Sequence, residues 1–380
     1  MTYDYTFSGL GLSTILVLNE MFENNLLEGK RILIIEPNEL AKDEKTWCYW
    51  EGDIGKFDNY INAKWNSALF KNENNSINCL NEGLVYKQIS STQFIENLFN
   101  KLVLNVSLTL KKETFVSFKS NDLEVEIVTD KNSYNSEYFF SSVLVNSNYK
   151  SSLKYPLLNQ HFIGWFVETK DPFFDPEKAT FMDFSVNQKQ NTRFMYVLPF
   201  SKNKALIEYT LFSKDLLAEE EYEHEIELYM SKMGITDYSI LKKEQGNIPM
   251  TVFPFWKNNE KRVLFIGTAG GWTKASTGYT FQNSVKKAEE VVSFLKKGNV
   301  DFKNFHKWNK FTFYDSLFVD VLYTNNSLGK EIFSSMFTKV NPNLILKFLD
   351  EKTNLYEDFK IILACPKLPF LKALFKKIIK

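Results

Sequence analysis

Residues 3–36 read YDYTFSGLGLSTILVLNEMFENNLLEGKRILIIE, and this order predicts a strand, a tight turn, a helix and a second strand. The predicted helix covers residues 12–23, with apolar side chains at helical spacing. The second strand, residues 31–36, is nearly all apolar, as is usual for a parallel strand buried on both faces. The stretch therefore predicts a βαβ unit, the element from which parallel sheets are built.

Two glycines, Gly9 and Gly11, lie in the turn between the first strand and the helix. Glycine at these positions lets backbone N–H groups approach a pyrophosphate, whose charge the helix N-terminus favours. Glu36, at the end of the second strand, could accept a hydrogen bond from a ribose hydroxyl. The full dinucleotide motif has a third glycine where this chain has Thr14, so the motif is incomplete. An ordinary turn with normal helix packing is the alternative interpretation.

A second glycine-rich turn follows a late strand and precedes a helix, and it contains Gly267, Thr268, Gly270 and Gly271. Flavoproteins of this fold class bring a late strand back beside the first one, and its loop contacts the ribityl chain and pyrophosphate of FAD. They usually have an acidic residue where this chain has Thr268. Two widely separated turns of this kind favour FAD over NAD alone, with an inserted substrate domain between them.

The middle and end of the chain have different patterns. Residues 164–169, 193–199 and 205–212 predict strands of an antiparallel sheet, and residues 137–145 predict a further apolar strand. We therefore expect an α/β fold with three parts: a discontinuous Rossmann-like FAD-binding domain (1–75 and 245–300), an inserted, mainly antiparallel β substrate domain (76–244) that is partly interleaved with the first, and a helical C-terminal region (301–380).

Composition narrows the classes of function. Lys and Arg number 46 and Asp and Glu number 46, so the net charge is zero, which argues against nucleic acid as the main partner. Three cysteines without a CxxC pair and three scattered histidines indicate a reducing compartment and no metal site. The start of the chain lacks a basic targeting segment, which predicts a cytoplasmic protein. Aromatic residues make up 16%, which indicates an apolar pocket or a membrane-facing patch, or alternatively a Phe-rich core.

Glu208 lies in the middle of the predicted strand ALIEYTLF, residues 205–212. The period of two places it on one face with Leu206, Thr210 and Phe212. A carboxyl group desolvated among apolar neighbours has a raised pKa and can hold a proton for delivery to a substrate. A solvated glutamate on an edge strand is the alternative interpretation.

Several longer blocks resemble the bacterial lycopene cyclases, FAD-containing enzymes of carotenoid synthesis. The two most specific blocks are FMYVLPFSKNKALIEYTLFS at 194–213 and IGTAGGWTKASTGYTFQ at 266–282. Shorter ones are KTWCYW (45–50), QHFIGW (160–165), FDPEKATFMDF (174–184), IPMT (248–251), KFTFYDSLF (310–318) and ILKFLDE (345–351). The resemblance thus covers most of the chain.

The resemblance implies cyclisation of the linear polyene lycopene to β-carotene, through γ-carotene, by a proton-initiated carbocation reaction without net redox change. It also implies reduced FAD, with NAD(P)H as electron donor, and an essential acid at the position of Glu208. The alternatives are a flavin-dependent oxidoreductase, such as an isoprenoid reductase or hydroxylase, and a carotenoid-binding protein that has lost catalysis.

Other residues are weaker candidates. Asp183 is a second candidate acid, with a turn carboxylate as the alternative, and Lys274 could favour an anionic reduced flavin. His161 is expected to be a structural hydrogen-bonding residue. Residues 370–380 predict a basic amphipathic helix, which suits peripheral contact with a membrane or packing on its own domain. The candidate pocket aromatics, each of which could equally belong to the core, are Trp47, Trp50, Trp165, Tyr196, Trp272 and Tyr279.

Overall fold

The computed structural model describes residues 2–39, 44–80, 83–144 and 147–379, except for the side chain of residue 379. Two predicted elements reach beyond these residues. Val145, at the end of the strand predicted over 137–145, lies outside them. So do Lys380 and the side chain of Ile379 in the predicted C-terminal helix.

Strands and helices follow one another along the whole described chain. The strands are β1 (Thr2–Ser8), β2 (Arg31–Ile35), β3 (Thr46–Gly52), β4 (Ala63–Trp65), β5 (Ser67–Lys71), β6 (Ser76–Asn78), β7 (Leu84–Ser90), β8 (Ser107–Lys111), β9 (Phe115–Ser120), β10 (Val125–Thr129), β11 (Ser133–Ser141), β12 (Leu158–Thr169), β13 (Lys178–Asp183), β14 (Thr192–Pro199), β15 (Lys204–Ser213), β16 (Tyr238–Met250) and β17 (Val263–Phe265). The α-helices are α1 (Leu12–Glu23), α2 (Ser91–Asn105), α3 (Glu219–Lys232), α4 (Phe281–Lys296), α5 (Lys310–Thr324), α6 (Gly329–Lys339), α7 (Pro342–Leu349), α8 (Leu355–Ala364) and α9 (Lys367–Ile379).

The first sheet contains the predicted βαβ unit and has the strand order β8-β2-β1-β11-β10-β9. Strands β1, β2, β8 and β11 are parallel, while β9 and β10 form an antiparallel edge. Helices α1 and α4 pack together over a core made by apolar side chains of β1, β2 and α1. The prediction that the late strand lies beside the first one is wrong, because β17 pairs with the end of β11, which separates it from β1.

The second sheet confirms the predicted antiparallel strands and has the order β16-β12-β15-β14-β13-β5-β6. All its neighbours are antiparallel except β13 and β5. One face packs against α3 through side chains such as Trp165, Ile207 and Tyr209. The opposite face is therefore available for a site. A small third sheet, β3-β7-β4, contacts the second sheet through β7 and β5.

Sheet membership divides the chain differently from the ranges expected from sequence. Strands β8 to β11 fall within the expected substrate domain, residues 76–244, yet they belong to the first sheet. Strand β5, in contrast, falls within the expected FAD-binding range and belongs to the second sheet. The two sheets are thus built from interleaved segments. Residues 301–379 are mainly helical, and among the described residues no helix is both long enough and apolar enough to cross a bilayer.

Candidate active site

A cavity of about 430 Å³ lies against the free face of the second sheet. Its walls come from β3 and β7, from residues 277–281 before and at the start of α4, and from α6 and α7. These walls are mostly aromatic or aliphatic, with Trp50, Tyr86, Tyr279 and Phe333 among them. The site is thus a largely apolar space that is also lined by polar side chains, among them Lys45, Gln160 and Asn247.

Three rows of residues cross the second sheet and form the floor of this cavity. Residues directly opposite each other in paired strands point to the same face of a sheet. Read from β14 through β15 and β12 to β16, the rows are Thr192, Phe212, Gln160 and Ile248; Phe194, Thr210, Phe162 and Gly246; and Tyr196, Glu208, Gly164 and Glu244. All of them except Thr192 and Gly164 line the cavity. The sequence prediction that Glu208 shares a face with Thr210 and Phe212 is confirmed.

Glu208 is the polar group at the centre of the third row. Burial raises the pKa of its carboxyl group from 4.5 to about 8; the hydrogen bond from Thr210 opposes this rise, and the negative charge of Glu244 adds to it. The Thr210 hydroxyl donates to Oε1 of Glu208 at 2.5 Å. Glu208 is therefore mostly protonated at neutral pH and can donate a proton into an apolar cavity.

Glu244 is a second carboxylate in the same row, and sequence analysis did not find it. The Thr46 backbone N–H donates to its Oε1 at 2.8 Å, and the Thr46 hydroxyl donates to its Oε2 at 2.6 Å. The residue is 5% exposed. Both of its oxygens thus accept hydrogen bonds from Thr46, which hold the carboxyl group against β3.

Gly164 lies between these two carboxyl-bearing residues in the row. A Cβ atom there would lie 2.8 Å from Leu206 Cδ1 and 3.3 Å from Glu208 Cβ. The glycine therefore leaves the space that Glu208 occupies beside β12. A larger residue at position 164 would displace the candidate acid.

Asp183, the second acid expected from sequence, does not line the cavity. It accepts hydrogen bonds from the Tyr229 hydroxyl of α3 and from the Ser185 backbone N–H, each at 2.9 Å. It therefore lies toward the face of the sheet that packs on α3, whereas its neighbour Met182 lines the cavity. The structure does not bring Asp183 together with Glu208, and its assignment as an acid stays a prediction without support from this placement.

The aromatic candidates divide into two groups. Trp47, Trp50, Tyr196 and Tyr279 line the cavity, and the Trp50 and Tyr279 rings stack with centroids 4.5 Å apart. Trp165 and Trp272, in contrast, belong to apolar cores away from the cavity walls.

His161 is buried against α3, where its ring nitrogens contact the Ser213 and Tyr222 hydroxyls at 2.6 and 2.5 Å. Burial, assisted by the charge of Arg193, lowers the pKa of His161 to about 4. The expected structural role therefore agrees with these contacts.

The first glycine-rich turn leaves the N-terminus of α1 open to a ligand. Gly9 has a φ of +83°, which favours glycine, and a Cβ atom on Gly11 would have no neighbour within 4 Å. Thr14, in place of a third glycine, donates its hydroxyl hydrogen to the Gly9 carbonyl at 2.7 Å and so closes the turn. Glu36 accepts from the Leu10 N–H at 2.9 Å, which places its carboxylate beside the turn.

The second glycine-rich turn lies directly against the first helix. A Cβ atom on Gly267 would come within 2.6 Å of Ser13 Oγ, so the two turns meet at the N-terminus of α1. Thr268 lies in the same tight turn, and its hydroxyl is 3.3 Å from the Thr273 hydroxyl. Gly270 packs on the carbonyl of Phe265. The two turns thus form one continuous surface, as a dinucleotide-binding site requires, although the individual contacts stay predictions.

Lys274 follows this turn, but its ammonium group is already paired. Its Nζ lies 3.1 Å from the Asp315 carboxylate and 3.2 Å from the Glu351 carboxylate, and its side chain is fully buried. The two carboxylates neutralise its charge within the protein. A role of Lys274 toward a flavin therefore stays a prediction that these contacts do not support.

The described residues form no metal-binding site. They contain no group of three or more His, Cys, Asp or Glu side chains arranged to hold an ion.

Cys48 lines the cavity, and burial raises the pKa of its thiol to about 12. The thiolate form of Cys48 is therefore disfavoured. The carboxyl groups that line the cavity from the second sheet are those of Glu208 and Glu244.

Solved structures share the fold at low sequence identity. A flavoprotein/dehydrogenase from Cytophaga hutchinsonii aligns with a TM-score of 0.59 and 12% identity, covering 99% of this chain and 100% of that one. The halogenase PltM in complex with phloroglucinol and FAD aligns with a TM-score of 0.57 and 12% identity, covering 97% and 87%. These similarities confirm the expected α/β flavoprotein-type fold.

Curated relatives are found in bacteria and plants. The lycopene beta-cyclase of Paracoccus sp. is 29% identical over 143 residues, which cover 35% of each chain. The lycopene beta cyclase of Capsicum annuum is 23% identical over 296 residues, which cover 70% of this chain and 56% of that one. The matched segments therefore span about a third to somewhat over half of the relatives' length.

The family described as lycopene cyclase protein matches residues 4–375, nearly the whole chain. The match includes both glycine-rich turns and the strand that carries Glu208. This chain therefore belongs to the lycopene cyclase family.

Proposed function

We propose that this chain is a lycopene β-cyclase, which closes the two linear ends of lycopene into β-rings, through γ-carotene to β-carotene. The observation that carries the proposal is the position of Glu208 on the wall of an apolar, aromatic cavity, where burial raises the pKa of its carboxyl group to about 8. Such a cavity excludes water, which would otherwise capture a carbocation. Family membership and the relatives' names support the substrate class.

The proposed mechanism begins with the proton of Glu208. Its transfer to a terminal double bond makes a tertiary carbocation, which the neighbouring double bond attacks to close a six-membered ring. Aromatic faces stabilise a cation placed over them, and Trp50, Tyr196 and Tyr279 lie in the cavity wall. Loss of a ring proton then leaves the ring double bond. The product is an isomer of the substrate, so no net oxidation or reduction takes place.

We also propose FAD as the cofactor, active in its reduced form, with NAD(P)H as the electron donor. The open N-terminus of α1 and the adjoining glycine turns fit a dinucleotide. Gly9 and Gly11 would offer backbone N–H groups to its pyrophosphate, Glu36 would accept from its ribose, and the turn at 267–271 would support its other half. When bound, reduced FAD supplies electron density that stabilises a nearby cation without hydride transfer.

Pigment analysis in a bacterial host that accumulates lycopene tests the proposal. Expression of the chain should convert lycopene to β-carotene, with flavin in the purified protein. NAD(P)H should be needed in catalytic amounts only. Untouched lycopene together with NAD(P)H consumed in proportion to another product would instead indicate a flavin-dependent reductase or hydroxylase.

Gly246→Ala tests whether the substrate occupies the cavity. The added Cβ would lie 2.4 Å from Cζ of Phe162, so this ring on the cavity wall must shift. We expect kcat/KM to fall by about tenfold or more, with little change in stability, because a flexible side chain takes up the shift. Gly52→Ala is the matched control, since its Cβ would have no neighbour closer than 3.9 Å. Equal activity of both variants would contradict this use of the cavity.

Peripheral membrane contact is a further part of the proposal, because the substrate is insoluble in water. Helix α9 packs on α5, where Lys377 pairs with Asp320 at 2.6 Å, yet Phe375 and Ile378 remain 60% and 70% exposed. Helix α8 also exposes apolar side chains. Together the C-terminal apolar surface comprises Leu355, Tyr356, Phe359, Ile362, Leu363, Leu368, Leu371, Phe375 and Ile378. Exposed lysines at 360, 367, 372 and 376 suit an anionic bilayer.

Vesicle sedimentation checks this contact. Replacement of three residues of the surface by serine should at least halve the fraction that sediments with anionic vesicles; the three are Leu371, Phe375 and Ile378. The control replaces three exposed leucines elsewhere by serine, namely Leu104, Leu123 and Leu153. If both triple variants sediment like the unmodified protein, this surface does not bind the membrane.

A further inference from the structure

The cavity holds a second carboxyl group for which the proposed acid chemistry has no use. Glu244 lies in the same row of the sheet as Glu208, two strands away, and both line the cavity. Neighbouring strands are about 4.8 Å apart, which puts the backbones of the two residues at roughly 10 Å. Gly164, between them, places no side chain in the intervening space.

The two carboxyl groups have opposite surroundings. Among the described residues, only the Thr210 hydroxyl donates a hydrogen bond to the Glu208 carboxyl group, at its Oε1. Glu244 accepts two hydrogen bonds, one at each oxygen, from the N–H and the hydroxyl of Thr46. Hydrogen bonds donated to both oxygens stabilise the charged form of a carboxylate. Two carboxyl groups with different hydrogen-bond partners thus face the same cavity, an arrangement in which one group can donate and the other can accept a proton.

We propose that Glu244 is the base that removes the ring proton and so ends the reaction; this inference rests on the proposed cyclase function. Ring closure moves the positive charge away from the carbon that Glu208 protonated. A carbon–hydrogen bond next to the new cationic centre then breaks, its electron pair becomes the ring double bond, and the proton passes to Glu244. Return of that proton to Glu208 restores both groups, so no co-reactant is consumed. The choice of ring proton, and hence the position of the double bond, follows from where this base lies.

Glu244→Gln separates this role from a structural one. Glutamine keeps the size of the side chain and an oxygen that can accept from the Thr46 N–H, but it is no longer a base. We expect ring formation to fall by about 10² to 10⁴, with KM nearly unchanged. In D₂O, Glu208 still protonates the polyene and can take a proton back. Deuterium should therefore enter the recovered acyclic substrate even though rings fail to form, and any rings should include isomers with a displaced double bond.

Three comparisons decide the outcome. Unchanged turnover and product in Glu244→Gln would overturn the inference, and so would an equal loss of ring formation and deuterium entry, which would indicate a structural role. If Glu244→Gln does not fold, Glu244→Asp replaces it in the test. The shorter side chain keeps a carboxylate but moves it away from the substrate, so ring formation must fall more than deuterium entry. An equal fall in both would overturn the inference.

Thr46→Val, which keeps the carboxylate, should retain at least a tenth of the activity. Absence of rings with the unmodified chain would refute the cyclase function itself, and this inference with it.

Discussion

Glu208→Gln is expected to remove ring formation while making the folded protein more stable at alkaline pH. The activity should fall by about 10² to 10⁴ or more, because an amide cannot deliver the proton that starts the reaction. Glutamine has nearly the same shape and can still accept from the Thr210 hydroxyl. The loss should therefore appear in kcat, with the apolar binding of the substrate preserved.

The gain in stability follows from the raised pKa of Glu208. In the folded chain this pKa is about 8, against an ordinary 4.5, so folding favours the neutral carboxyl group. The stability that the neutral carboxyl group gives the fold is fully present below pH 4.5 and is lost as the pH rises through 8. A shift of this size corresponds to a free energy on the order of 5 kcal/mol. The variant has no proton to lose, so its advantage in unfolding free energy should grow between pH 4.5 and 8 and then level off.

Thermal or urea unfolding at pH 5 and pH 9, together with pigment analysis, checks both parts. Glu126→Gln, on an exposed strand position, is the control and should change neither property. Ring formation by the unmodified protein should also decline above about pH 8, where Glu208 loses its proton. A variant that keeps its activity, or a stability difference that is the same at both pH values, would show that Glu208 is not the buried acid.

Lys274→Met should be strongly destabilising, for a reason unrelated to chemistry on the substrate. Burial opposes the charge of Lys274, but Asp315 and Glu351 outweigh this effect and raise its pKa. Burial also raises the pKa of Asp315 itself. Removal of the ammonium group leaves two carboxylates without their cation, and breaking a buried pair in this way costs about 3–5 kcal/mol.

Urea unfolding of Lys274→Met beside Lys287→Met measures this cost. Lys287 pairs with Glu290 at the surface of α4, and its loss should change the unfolding free energy by less than about 0.5 kcal/mol. Adding Asp315→Asn to Lys274→Met should recover part of the loss, since the two effects are not additive in a shared network. A Lys274→Met protein as stable as its control would mean that the three charges are not a buried unit.

The parts of the site that sequence predicted are those set by local pattern. The apolar strand RILII and the turn at Gly9 and Gly11 identify the first sheet because the period and the turn chemistry agree. Alternation over residues 205–212 correctly places Glu208 with Thr210. Neither inference needs knowledge of which strand lies next to which.

The parts that sequence missed depend on distant pairing or local irregularity. Glu244 lies in the polar run KKEQGN, and only the register of β16 on β12 brings it into the row of Glu208. The pairing of β13 shifts register between Thr180 and Asp183, so simple alternation does not describe where Asp183 points. The partners of Lys274 lie 41 and 77 residues away in the chain. None of these leaves a short-range signal.

The interleaving of the two sheets also has a consequence for how the chain folds during synthesis. Strand β5 pairs with β13, more than 100 residues later, and β17 joins the first sheet only after all strands of the second have been made. Contacts of such long range fold slowly and leave strand edges unpaired meanwhile. The cavity is completed last, because α6 and α7 close it. Synthesis of the whole described chain up to α7 must therefore precede closure of the cavity, so the site forms after the two sheets.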